Sequence, residues 1–173
     1  MVQKKINLCF VFPDGDGWTG ETNYLISLIS SLNYLKNKNF NFFVFCSHNK
    51  KKLLSKFVNK KNIVSSDIFK KGSIKEKIWK LSKFLFKKDL FLNYFFRKYN
   101  INIISHYLPM KKIPSICWIP DLQHLYLQKF FSKKEIKRRD KLFQNYLNNS
   151  RSIILSSNDT YNQLKKNYKV SNI

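Results

Sequence analysis

The chain has 173 residues, 43% hydrophobic and 16% aromatic, enough apolar surface to bury a core and too much for intrinsic disorder. Its 33 lysines and arginines stand against 10 acidic residues, a formal net charge of +23. That excess suits an anionic partner such as nucleic acid or a membrane surface, or else is a compositional bias spread over solvated faces.

No stretch reaches the roughly 18 unbroken apolar residues of a spanning helix. The opening MVQKKINLCFVFPDG reads as a first strand rather than a signal peptide, having no long apolar region and no small-residue cleavage site. A cytoplasmic location is expected, with membrane contact at the surface only. Cys9, Cys46 and Cys117 each lie inside an apolar run and form no C-x-x-C pair, so buried, reduced thiols are expected.

Strand-like and helix-like segments alternate along the chain. KINLCFVF, 5–12, is a buried strand stopped by Pro-Asp-Gly. From Glu21 to about Lys36, Leu25, Leu28, Ile29, Leu32 and Leu35 recur at helical spacing. NFFVFCS, 41–47, is a second strand, 50–60 a short basic helix and NIVSS, 62–66, a third strand. Residues 73–99 form a long amphipathic helix or helix pair, with Ile78, Leu81, Leu85, Leu92 and Phe95 expected on one side and lysines over much of the rest.

INIISHY, 101–107, and PSICWIP, 114–120, are strands four and five. A polar helix from Lys133 to Asn148, a sixth strand SIILSS at 152–157, and a last helix from Asn158 to Tyr168 complete the pattern. The order favours an α/β fold, a mostly parallel sheet with helices on both faces. No repeat or linker interrupts it, so 1–173 reads as one domain.

The first strand leads into PDGDGWTGETNYLISL, where Gly15, Gly17 and Gly20 have the spacing G-x-G-x-x-G. Glycines at the carboxyl edge of a parallel sheet let backbone approach a ligand, and the following helix offers free N–H groups to phosphate. The alternative is a tight turn needing positive φ. A standard NAD site also needs an acidic residue after the second strand, and none occurs between Glu21 and Asp67. Ser47, Lys50 and Lys51 suit an NADP 2′-phosphate instead, which keeps an NADP-dependent oxidoreductase as the alternative reading. Asp14, Asp16 and Glu21 crowd the loop with negative charge. Carboxylates accept hydrogen bonds from sugar hydroxyls, so the loop also suits a saccharide.

CWIPDLQHLYLQKFFSKKEIKRRDKLF, 117–143, is the most informative stretch. Asp121 and His124 follow a strand end three residues apart. A histidine beside a carboxylate can orient or deprotonate a hydroxyl near neutral pH; alternatively both cap nearby backbone. His106 follows strand four at the same edge, while His48 sits in a basic turn. The three histidines are too dispersed for a metal site.

WIPDLQHLYLQKFFSKKEIKRRDKLF followed by SRSIILSSNDTYNQL resembles the amino-terminal half of retaining glycosyltransferases of family 4, which have the GT-B architecture. GDGWTGETNYLISLISSL is similar to that family's glycine-rich turn, acidic residue and leucine-rich first helix. The resemblance implies a Rossmann-like domain that binds the acceptor, one half of a GT-B fold. On it, Gly17 and Gly20 approach the donor diphosphate, Asp121 matches the aspartate after strand five, and Ser156 and Ser157 match the serine after strand six. Two motifs differ. Pro120 stands where the family often has histidine, so that role falls to His124 or is lost, and Gln128-Lys129-Phe130-Phe131 replaces P-E-x-F.

The family's nucleotide-sugar domain, with its E-x7-E pair, has no match in the chain. A fragment or one subunit of a split enzyme is therefore expected, inactive alone, because one wall of a cleft cannot exclude water or hold a leaving diphosphate. The partners implied are a nucleotide-sugar donor and a saccharide or lipid-linked acceptor of the cell envelope, with no cofactor and no specific nucleic acid. The basic, aromatic stretch 73–99 adds contact with an anionic membrane, on the inner face of the cytoplasmic membrane. The geometric expectation is that the turns after strands one, four, five and six meet at one rim, bringing Gly17, His106, Asp121 and Ser156 together.

Overall fold

A computed structural model describes residues 5–14, 19–35 and 39–169. The first apolar run forms β1, Ile6–Phe12, whose residues are almost all buried. It is followed by α1, Thr19–Tyr34, and β2, Phe40–Cys46. Next come α2, His48–Leu54, β3, Ile63–Ser65, α3, Ile74–Phe86, and α4, Leu90–Lys98. The remaining elements are β4, Ile103–Ser105, β5, Ser115–Ile119, α5, Gln123–Tyr126, α6, Lys133–Asn149, β6, Ser152–Leu155, and α7, Asn158–Asn167.

The fold is α/β and Rossmann-like: a parallel sheet of strand order β3-β2-β1-β4-β5-β6 flanked by helices. Contacts divide the chain into two compact units, Met1–Ile103 and Ile104–Ile173.

In the first unit, successive strand residues point to opposite faces, and both faces are covered. Leu8, Phe10 and Phe12 of β1, with Phe42, Val44 and Cys46 of β2, pack against Leu25 and Ile29 of α1 and Leu54 at the end of α2. On the other face Phe43 meets Tyr99, and Phe45 meets Phe69, Phe95, Phe96 and Tyr99 with ring centroids 5.7–6.3 Å apart. Two-sided burial explains why these strands read as continuous apolar runs rather than alternating ones. Asn7 ties β1 to the chain entering β4: its side-chain amide donates to the carbonyls of Tyr99 and Asn100, and its N–H to Asn102 Oδ1 at 2.8 Å.

The stretch 73–99 is a helix pair. Ser73 caps α3 by accepting from the Glu76 N–H at 3.0 Å, and the chain leaves α3 through Lys87 in the left-handed conformation. Asp89 then caps α4. Its Oδ1 accepts from the Leu92 N–H at 3.0 Å and from Trp79 Nε1 at 2.8 Å, and Oδ2 lies 3.2 Å from Lys83 Nζ. This contact turns Trp79 inward. The apolar row of α3 is consequently not the inward one: Ile78, Leu81 and Leu85 are exposed, whereas Leu92 and Phe96 of α4 are buried.

In the second unit, Ile119, Leu122, Phe143 and Leu164 form the core, joined by Ile153, Leu155, Tyr146 and Tyr168. Ser132 and Ser157 cap α6 and α7, accepting from the N–H three residues on. Arg138 and Arg139 hold the Glu135 carboxyl down to about 2 through hydrogen bonds at 2.7–2.9 Å in the first turn of α6. The buried residues of β5, Ser115, Cys117 and Ile119, alternate with Ile116 and Trp118, which are only partly buried. Cys9, Cys46 and Cys117 are buried free thiols. Among the described residues no helix is long and apolar enough to cross a membrane.

Candidate functional site

Parallel pairing of β4 with β5 and of β5 with β6 sends all three turns out at one edge of the second unit. His106 leaves β4 with φ 57°, a left-handed conformation that histidine enters more readily than most side chains. Its N–H donates to the Ile116 carbonyl at 2.9 Å, which locks it beside β5. Its ring lies 5.7 Å from the Trp118 ring, and Trp118 Nε1 donates to Ser156 Oγ at 3.1 Å. An imidazole, an indole and a hydroxyl thus form one continuous patch across three strands. Trp118 was not among the residues singled out from the sequence; its only signal there is a large aromatic at the carboxyl end of a strand.

The patch carries no net charge. Burial lowers the His106 pKa to about 4, so the ring is neutral at physiological pH, with Nδ1 2.7 Å from Ser105 Oγ. The unfolded chain takes up that proton near pH 6.5 and the folded chain only near 4. Between those values the unfolded state binds more protons, so stability falls as pH drops through the window. Asparagine tolerates the left-handed backbone and does not titrate. The His106→Asn variant is expected to lose less stability than the parent between about pH 7 and 5, by on the order of 1–2 kcal/mol. Urea unfolding at both pH values reads this directly, and equal losses in the two proteins would refute it.

Asp121 and His124 do not form a pair. Asp121 Oδ1 accepts from the Gln123 N–H at 3.0 Å, just ahead of α5, and lies 3.7 Å from Arg139 Nη1. His124 is fully buried, with Nε2 3.0 Å from Asp140 Oδ1 and 3.3 Å from Tyr168 Oη. Tyr168 Oη itself donates to Asp140 at 2.7 Å; burial, and then Asp140, raise its pKa. Asp121 lies ahead of the helix, since α5 begins only at Gln123 after the non-helical Leu122, while His124 is inside it and buried against Phe143. A catalytic role is expected for His124, whereas its side chain here has no exposed surface and meets Asp140 and Tyr168 rather than Asp121. Both serines are exposed; Ser157 is occupied as the cap of α7 and Ser156 reaches Trp118.

In the first unit, Gly15 and Gly17 lie outside the described residues, and Gly20 and Glu21 fall in the first turn of α1. Two of the three residues suited to an NADP phosphate, Ser47 and Lys50, are engaged with the chain at the end of β1. Ser47 Oγ donates to Asp14 Oδ1 at 2.6 Å, and Lys50 Nζ donates to the Pro13 carbonyl at 2.7 Å and stands 4.0 Å from Asp14. A carboxylate already fills the place a 2′-phosphate needs, and like charges repel. Among the described residues no cluster of three histidine, cysteine or acidic side chains could hold a metal ion.

No protein-family model matches the chain, and neither a curated protein nor a solved structure matches it.

Proposed function

We propose that the chain is the acceptor-side domain of a retaining glycosyltransferase of GT-B architecture, working on a saccharide or lipid-linked sugar of the cell envelope at the cytoplasmic face. The observation that carries this reading is the His106–Trp118–Ser156 patch. A sugar presents C–H faces and hydroxyls. An indole packs against the first, while a neutral imidazole and a serine hydroxyl exchange hydrogen bonds with the second. Ser156 accepts from Trp118, which leaves its own O–H to donate to a ligand. A cationic patch would instead have favoured phosphate.

In this reading the acceptor hydroxyl attacks from the face that the donor diphosphate leaves, and that phosphate takes the proton. No protein nucleophile is needed; the domain positions the acceptor and excludes water. The nucleotide sugar is held by a second domain or chain. Asp121, kept beside Arg139 at the start of α5, serves as the acceptor-orienting carboxylate.

Saturation-transfer NMR of the purified chain against a panel of neutral oligosaccharides tests the reading. Binding is expected, weakened about tenfold by Trp118→Ala, a loss the size of one aromatic contact. Ser156→Ala, at an exposed position, serves as the variant that leaves folding intact. Absence of saccharide binding, or binding indifferent to both substitutions, would overturn it.

A further inference from the structure

Helix α3 turns its apolar row away from the protein. Ile74, Ile78, Leu81 and Leu85 follow i, i+4, i+7, i+11 spacing and so stand in one line along the helix. They are 51–75% exposed and Phe84, on the neighbouring strip, is 80% exposed, while Trp79 on the opposite side is 5% exposed. Single exposed leucines are ordinary on a protein surface, but a contiguous row of this kind is not.

The surroundings are basic. Eight lysines lie between 70 and 88, and the only acids from 70 to 89 are Glu76 and Asp89. Both are already engaged: Glu76 with Lys80 at 2.6 Å and with the Gly72 N–H at 2.7 Å, Asp89 in its buried contacts with Trp79 and Leu92. A second copy of the chain would bring one lysine-rimmed face against another, at a net charge of +23 each. A nucleic acid would meet the lysines and leave the apolar row in water. An anionic bilayer surface meets both demands, because acyl chains take the leucines and headgroup phosphates take the ammonium groups.

We propose that α3 is an interfacial helix that docks the protein on anionic lipid, burying Ile78, Leu81, Phe84 and Leu85 beneath the headgroups. This assignment stands apart from the glycosyltransferase reading and does not depend on it.

The test is flotation with vesicles of phosphatidylcholine containing roughly 30% phosphatidylglycerol at about 0.15 M salt, beside vesicles of phosphatidylcholine alone. The chain is expected to float with the anionic vesicles and only weakly with the neutral ones. The double variant Leu81→Ser, Leu85→Ser changes no charge and touches only exposed positions. It is expected to keep its circular dichroism and melting temperature and to lose at least about tenfold in vesicle affinity. Failure of the parent chain to float would overturn the proposal. So would full binding by the serine variant, which would show that net charge alone holds the protein to the vesicle. A concentration-dependent dimer in sedimentation equilibrium that dissolves in the serine variant would assign the face to a second copy instead.

Discussion

Phe45→Ala is expected to lower stability by about 3–5 kcal/mol, the largest effect of any single substitution considered for this chain. Phe45 has no exposed surface. It lies one residue from the carboxyl end of β2 and touches the rings of Phe69, Phe95, Phe96 and Tyr99. Those partners come from the turn before α3, from α4 and from the residue that ends it, so one ring joins the sheet to the whole helical layer on that face. Removing it withdraws apolar burial and leaves a cavity that four aromatic neighbours cannot close without moving off their rotamers. Since a domain of this size is stable by only about 5–15 kcal/mol, the variant is expected to be marginal, with a melting temperature lower by roughly 10 °C. Phe45→Leu keeps most of the volume and is expected to lose less than half as much. A shift under about 1 kcal/mol for the alanine variant would mean that the aromatic cluster does not hold this layer.

His124→Ala is expected to cost about 2–4 kcal/mol. The imidazole is fully buried against Phe143, at 5.5 Å between ring centres, and Phe131, at 6.5 Å. Through Nε2 it joins Asp140 of α6 and Tyr168 just beyond α7. Truncation leaves a cavity and deprives Asp140 of its hydrogen bond with the imidazole, leaving that from Tyr168. The measurement that separates a positioning residue from a catalytic one is binding. His124→Gln keeps an amide donor toward Asp140 and should recover part of the stability. Saccharide affinity of both variants, measured below their melting temperatures, should match the parent within about twofold. A large loss of affinity with little loss of stability would return His124 to the ligand site.

Much of the architecture is local information. The apolar runs bounded by Pro13, by Ser47 and by Pro120 are strands because β-branched and aromatic residues suit a pleated surface covered on both sides. The helices at 19–34, 133–149 and 158–167 follow from 3.6-residue periodicity, and Ser132 and Ser157 mark the last two starts because a serine oxygen can satisfy a first-turn N–H. Alternation of strand and helix then leaves the parallel sheet as the arrangement with short connections. His106, Asp121 and Ser156 could be placed after strand ends on the same grounds.

Tertiary structure decided what those residues meet. His124 is three positions from Asp121 along the chain, yet its partner is Asp140, 16 positions on, with Tyr168 44 positions away; the packing of α6 and of the chain after α7 around α5, not proximity in sequence, chose them. Trp118 reaches Ser156 across 38 positions only because β5 and β6 pair in a particular register. Helix α3 carries apolar residues around much of its circumference, so periodicity alone gives it no unique inward face. The Trp79–Asp89 hydrogen bond supplies that choice and leaves the leucine row outside. Backbone preference is written in neighbouring residues. Which side chain faces which depends on contacts between segments far apart in the chain, and those exist only once it has folded.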